Sequence, residues 1–85
     1  MKIKRTLIFD EHAVNAFAST LKKVRKEKGM TQAQLGFEAN VPRSSIERME
    51  TAKINPTLST IVALARALGV RPSVLLDFEV SPVID

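Results

Sequence analysis

Along this chain the apolar residues fall into five short patterns. Val14, Phe17, Leu21 and Val24 step by three and four, the spacing of one helix face. Lys22, Lys23, Arg25, Lys26 and Lys28 fill most of the intervening positions. Asp10 stands where a side-chain N-cap belongs, and Gly29 supplies a C-terminal stop, so a first helix is predicted over about 11–28. Thr31 and Gln34 have the spacing of a capping box, with Leu35 and Ala39 facing inward over 32–39. Asn40 suits a left-handed turn, Val41 plugs it, and Pro42 opens a third helix whose inward stripe is Ile46 and Met49.

"TAKINPT" reads as a loop, because Pro56 does not sit in a helix interior and Thr57 is placed to cap a fourth helix. Leu58, Ile61, Leu64, Ala65 and Leu68 pattern that helix, and Gly69 ends it. Pro72 opens a short fifth helix, with Val74, Leu75 and Leu76 expected to face the core. The ends read differently. In "KIKRTLIF", residues 2–9, Ile3, Leu7 and Phe9 would share one face of a strand. "DFEVSPVID", residues 77–85, reads as extended, and Pro82 excludes a regular central strand. The N-terminal stretch is either a basic arm reaching a minor groove, a strand pairing with the C-terminal stretch of the same or a second chain, or a segment without fixed structure.

Composition narrows the class. The 85 residues correspond to about one small domain. The absence of Cys excludes disulfides and a Cys-based zinc site. No apolar run is long enough to span a membrane, and no signal-peptide pattern is present, so an intracellular, cytoplasmic protein is expected. The net charge is +4, and the acidic residues Asp77, Glu79 and Asp85 are gathered in a tail with no base. The rest of the chain is therefore more basic than the total suggests, which favours a polyanionic partner. His12 is the only His, with no nucleophile beside it in sequence. There is no HExxH motif and no glycine-rich phosphate loop. Neither catalysis, a metal site nor a cofactor is expected.

"TQAQLGFEANVPRSSIERME", residues 31–50, resembles the helix-turn-helix of the phage-repressor and Cro-like (XRE) family, through Gln32, Leu35, Ala39, Val41, Ile46 and Glu50. "PTLSTIVALARALGVRPSVLL" is similar to that family's fourth and fifth helices, so the likeness covers about residues 14–76. It implies an all-α, five-helix, lambda-repressor-like domain over 10–76; the arm (1–9) and tail (77–85) that flank it are read as extended segments able to form a small strand pair. It implies a sequence-specific regulator of transcription, a repressor, whose third helix enters the major groove of double-stranded DNA. A homodimer on a palindromic operator is implied by the same resemblance. The alternative is an antitoxin or a restriction–modification controller, with a toxin or other protein partner.

Arg43, Ser44, Ser45 and Arg48 are the candidate base readers, at the N-terminal end and along one face of that helix. Arg bridges two acceptors of guanine, whereas Ser discriminates less. Thr31, Gln32 and Lys53 are the candidate phosphate contacts, which orient the protein without reading sequence. The resemblance also pairs Arg25 with Glu50 as a structural ion pair. Two departures stand out. Ala52 occupies a place where the family often has Gly in a left-handed turn, and Phe37 is large for a helix position that is often polar.

Overall fold

The computed structural model describes residues 8–80, and all of the regular structure within them is helical. The elements are α1 (Glu11–Glu27), α2 (Gln32–Ala39), α3 (Arg43–Glu50), α4 (Leu58–Leu68) and α5 (Pro72–Leu75). The strand pairing considered for the ends falls largely on residues 1–7 and 81–85, outside the described residues. Residues 8–10 and 76–80 take no strand structure.

Local chemistry sets the helix limits. The Asp10 carboxylate accepts from the Ala13 amide, and the Thr57 hydroxyl accepts from the Thr60 amide. At α2 the capping box is complete: Thr31 Oγ accepts from the Gln34 amide, and Gln34 Oε1 accepts from the Thr31 amide. Each satisfies a group that the helix itself leaves unpaired. The four longer helices end alike. A left-handed residue (Gly29, Asn40, Ala52 or Gly69) lies just beyond each, and the next amide reaches five residues back, from Met30 to Arg25, Val41 to Gly36, Lys53 to Arg48, and Val70 to Ala65. This is the Schellman arrangement, which satisfies the last carbonyls of a helix. Ala52, at φ 59°, takes the left-handed turn expected there and carries the steric cost that glycine avoids.

The core gathers Phe17, Leu21 and Val24 of α1, Leu35 of α2, Ile46 and Met49 of α3, Leu64 and Leu68 of α4, and Leu75 of α5. In it α2 packs on α3 and α4, α1 on α3 and α5, and α4 on α5. Met30, Val41, Ile61 and Phe78 pack on its edge. Phe78 brings the folded unit past residue 76.

Three apolar expectations fail. Leu58, Val74 and Leu76 are exposed. Successive helical residues turn by about 100°, so a four-residue helix cannot aim Val74, Leu75 and Leu76 at one core. Only Leu75 is buried there. Leu58 opens α4, one turn short of the core layer. Pro42 lies just before α3, not as its first residue, and its carbonyl accepts from the Ser45 and Ile46 amides.

Gly36 positions the turn between α2 and α3. It is buried inside α2, and a Cβ there would meet the Val41 carbonyl oxygen at 2.6 Å. That carbonyl cannot yield as a flexible side chain would. Glycine lets the incoming chain fold back directly onto α2, which sets how α3 is presented.

Candidate nucleic-acid interface

α3 is an eight-residue helix with two different faces. Ile46 and Met49 are buried in the core. Arg43, Ser44, Glu47 and Arg48 are exposed and uncovered by any other element. On this face Arg43, Ser44 and Arg48 can donate to base edges and phosphates, whereas Glu47 only accepts. Arg43 Nη1 and Glu47 Oε2 stand 4.0 Å apart with both side chains more than half exposed, a loose i,i+4 pair. Such a pair holds its arginine weakly, leaving the guanidinium able to exchange Glu47 for an external partner.

Ser45 sits differently from the other three candidate readers. It is half-buried and lines the groove formed with Ile54, Asn55, Thr57 and Thr60, behind the exposed face. Ser44 and Arg48, one turn apart, share the exposed side. The N-terminus of α3 has no side-chain cap, and the Pro42 carbonyl takes up the Ser45 and Ile46 amides.

The candidate phosphate contacts border this face. Thr31 precedes α2 and spends its hydroxyl oxygen as an acceptor for the Gln34 amide, leaving the hydroxyl proton to donate elsewhere. Lys53 is exposed in the loop after α3, its amide donating to the Arg48 carbonyl. Gln32 is half-buried, and its Nε2 donates to Glu50 Oε1 at 3.1 Å.

Behind these residues lies the Arg25–Glu50 pair, in a two-pronged geometry. Arg25 Nε donates to Glu50 Oε2 at 2.6 Å, and Nη2 to Oε1 at 2.9 Å. Arg25 Nη1 donates to the Met30 carbonyl at 2.8 Å. The side chains are 9% and 2% exposed. Hydrogen bonding to Glu50 raises the Arg25 pKa above its ordinary value, against the lowering effect of burial. No buried side-chain nitrogen or oxygen is left without a partner among the described residues. Buried ions are tolerated when their geometry is this complete. The pair ties the end of α1 and the turn after it to the end of α3, and so fixes the recognition face from behind.

Two features of the site were missed from sequence. Glu47, four residues after Arg43, was legible from helical spacing as a member of the same face. The bond from Gln32 to Glu50 joins residues 18 apart and left no local signal.

Comparison with known proteins supports the assignment of these elements. The sequence profile of the family described as Helix-turn-helix matches residues 21–75, from α1 through α5. The chain is 42% identical over 59 residues to the immunity repressor protein of Bacillus phage phi105, covering 69% of this chain and 41% of that protein. It is 36% identical over 63 residues to the control protein C.BamHI of Bacillus amyloliquefaciens, covering 73% of this chain and 78% of that one. Its fold matches the restriction–modification controller protein C.Esp1396I, solved as a tetramer on its natural 35 base-pair operator, with a TM-score of 0.73 and 29% identity. That match covers 78% of this chain and 87% of the controller. This chain belongs to the helix-turn-helix family of the phage-repressor and Cro-like type, as the pattern in residues 31–50 implied. It spans less than half the length of the phage repressor it resembles. Among the described residues no helix is long and apolar enough to cross a membrane.

Proposed function

We propose that this chain is a sequence-specific regulator of transcription that represses by binding double-stranded DNA. α3 enters the major groove, and the chain acts in the cytoplasm as a homodimer on a palindromic operator. The observation that carries the reading is the uncovered polar face of α3, backed by the buried Arg25–Glu50 pair. Arg43, Ser44 and Arg48 read bases. Ser45, turned toward the groove behind α3, touches the edge of the site. Thr31, Gln32 and Lys53 hold phosphates and set the register. Residues 10–76 hold the DNA-binding helices, with 1–9 and 77–85 flanking them, Phe78 packed back onto the core.

The size of the reading surface argues for a dimer. One α3 spans a few base pairs, too few to single out a site among the competing sequences of a genome. Two copies about 34–36 Å apart would read successive turns of the same groove. Exposed Ile8, Phe9, Val74, Leu76 and Val80 supply apolar surface for the second copy.

Selection of duplexes from random DNA tests the reading directly. The expected product is a two-fold symmetric consensus. Arg43→Ala should then bind that consensus about 1–3 kcal/mol more weakly and relax the preference at one base pair of each half-site. A variant that keeps the parent's ratio of specific to random binding removes Arg43 from the readers.

A second reading is supported by the likeness to C.BamHI and C.Esp1396I: a controller of restriction–modification genes. The same selection separates the two. A consensus lying upstream of an endonuclease and methyltransferase gene pair favours the controller.

A further inference from the structure

We infer that Glu50 is a positioning residue for DNA recognition, acting through Gln32, and is more than the buried partner of Arg25. The inference rests on the DNA-binding reading above and deepens it.

Glu50 Oε1 accepts two hydrogen bonds, from Arg25 Nη2 at 2.9 Å and from Gln32 Nε2 at 3.1 Å, while Oε2 accepts from Arg25 Nε. An ionised carboxylate only accepts, so the Gln32 carboxamide must turn its nitrogen inward. One N–H is then committed to Glu50. The second N–H and the carbonyl oxygen remain for an external partner, in one fixed orientation. Gln32 opens α2, next to the amides that a helix start leaves unpaired. A surface glutamine ordinarily samples many rotamers, and binding would have to freeze them. Here the protein has done so beforehand.

The connectivity gives this orientation its use. Glu50 ends α3, whose other end bears Arg43 and Ser44. Gln32 starts α2. The Glu50–Gln32 bond therefore links the element that reads bases to the residue placed to hold backbone. Arg25 holds Glu50 still from α1, and its third bond, to the Met30 carbonyl, fixes the turn that leads into α2. A phosphate bound at Gln32 and a base bound at α3 are thus kept in one register by one carboxylate.

A double-mutant cycle on operator affinity, read by fluorescence anisotropy on the selected duplex, tests this. Gln32→Ala should weaken specific binding on the order of tenfold, the size of one charge-assisted hydrogen bond. Glu50→Gln offers one acceptor oxygen where Arg25 and Gln32 now use two, so it should weaken binding by a similar factor at a temperature where circular dichroism shows it fully folded. The double variant should be little worse than either single one, because both changes remove the same contact. If the two factors multiply instead, Glu50 does not act through Gln32 and the inference falls.

Should Glu50→Gln not fold, the free parent protein decides. The Gln32 side-chain amide, assigned by its loss in Gln32→Ala, should appear in nitrogen-15 spectra shifted from the ordinary glutamine position, with relaxation like the backbone's. A mobile amide at the ordinary position overturns the proposal. A parent that prefers no duplex over random DNA overturns the DNA-binding reading itself, an outcome visible before any variant is made.

Discussion

The two ends of this small fold are held by different means. At the α2–α3 end the contacts that set it are polar: a complete capping box, Asn40 in the turn, and a carboxylate that accepts from both Arg25 and Gln32. At the α4–α5 end, beyond the Thr57 cap and the Gly69 turn, the contacts are apolar. Leu64, Leu68 and Leu75 are buried, α5 is four residues long, and Val74 and Leu76 are left outside with Ile8, Phe9 and Val80. Hydrogen bonds fix directions, whereas apolar packing fixes mainly volume and area. The first end holds its side chains at set angles. The second leaves apolar side chains exposed.

Breaking the polar end should be the more damaging. Arg25→Met leaves the Glu50 carboxylate buried and charged without its partner, which should cost about 3–5 kcal/mol of stability in a urea titration. Replacing Arg25 and Glu50 together by apolar residues of similar volume should restore most of that. A single variant as stable as the parent would remove the pair from the determinants of the fold.

Gly36→Ala should come next, at about 1–3 kcal/mol, because the added Cβ meets the Val41 carbonyl and forces the turn apart. Operator binding should fall further than stability explains, since the same turn aims α3. The loss should show at temperatures where circular dichroism is unchanged.

The apolar end should tolerate change. Leu76→Lys should alter the stability of the monomer by no more than about 0.5 kcal/mol, as surface substitutions usually do. It should nevertheless raise the dimer dissociation constant measured by analytical ultracentrifugation. Unchanged self-association would move the dimer contact away from α5 and the terminal segments.

Legibility from sequence divides along the same line. Helix limits were legible almost to the residue, because Asp10, Thr31, Asn40, Thr57 and Gly69 act on amides or carbonyls a few positions away. The Arg25–Glu50 pair came from the family resemblance, and no spacing rule would have paired residues 25 apart. Periodicity placed Leu64 and Leu68 correctly but also placed Leu58, Val74 and Leu76 inside. Spacing reports which residues share a face and is silent on whether anything covers it. Gly36 looked like an ordinary helix position, since the need for glycine comes from a carbonyl five residues later. The candidate readers were legible as a face. The difference between Ser44 and Ser45 was not, because it depends on the loop and α4 behind them.

The two limits of the described chain meet around the start of α1. His12 Nε2 lies 2.9 Å from the Glu79 carbonyl oxygen. Four residues before His12, the Ile8 carbonyl accepts from Asn55 Nδ2 at 3.1 Å. The described chain therefore runs out and returns nearly to its origin, so its beginning and end can be exchanged with little geometric penalty. A Gly- and Ser-rich linker from Val80 to Ile8 would join the two limits of the described chain into a circle. The exposed Lys28–Gly29 turn offers a place to reopen it. In such a permuted chain α2 would be made first and α1 last, so that Gln32 and Glu50 would meet early and Arg25 would join them only when synthesis is nearly complete.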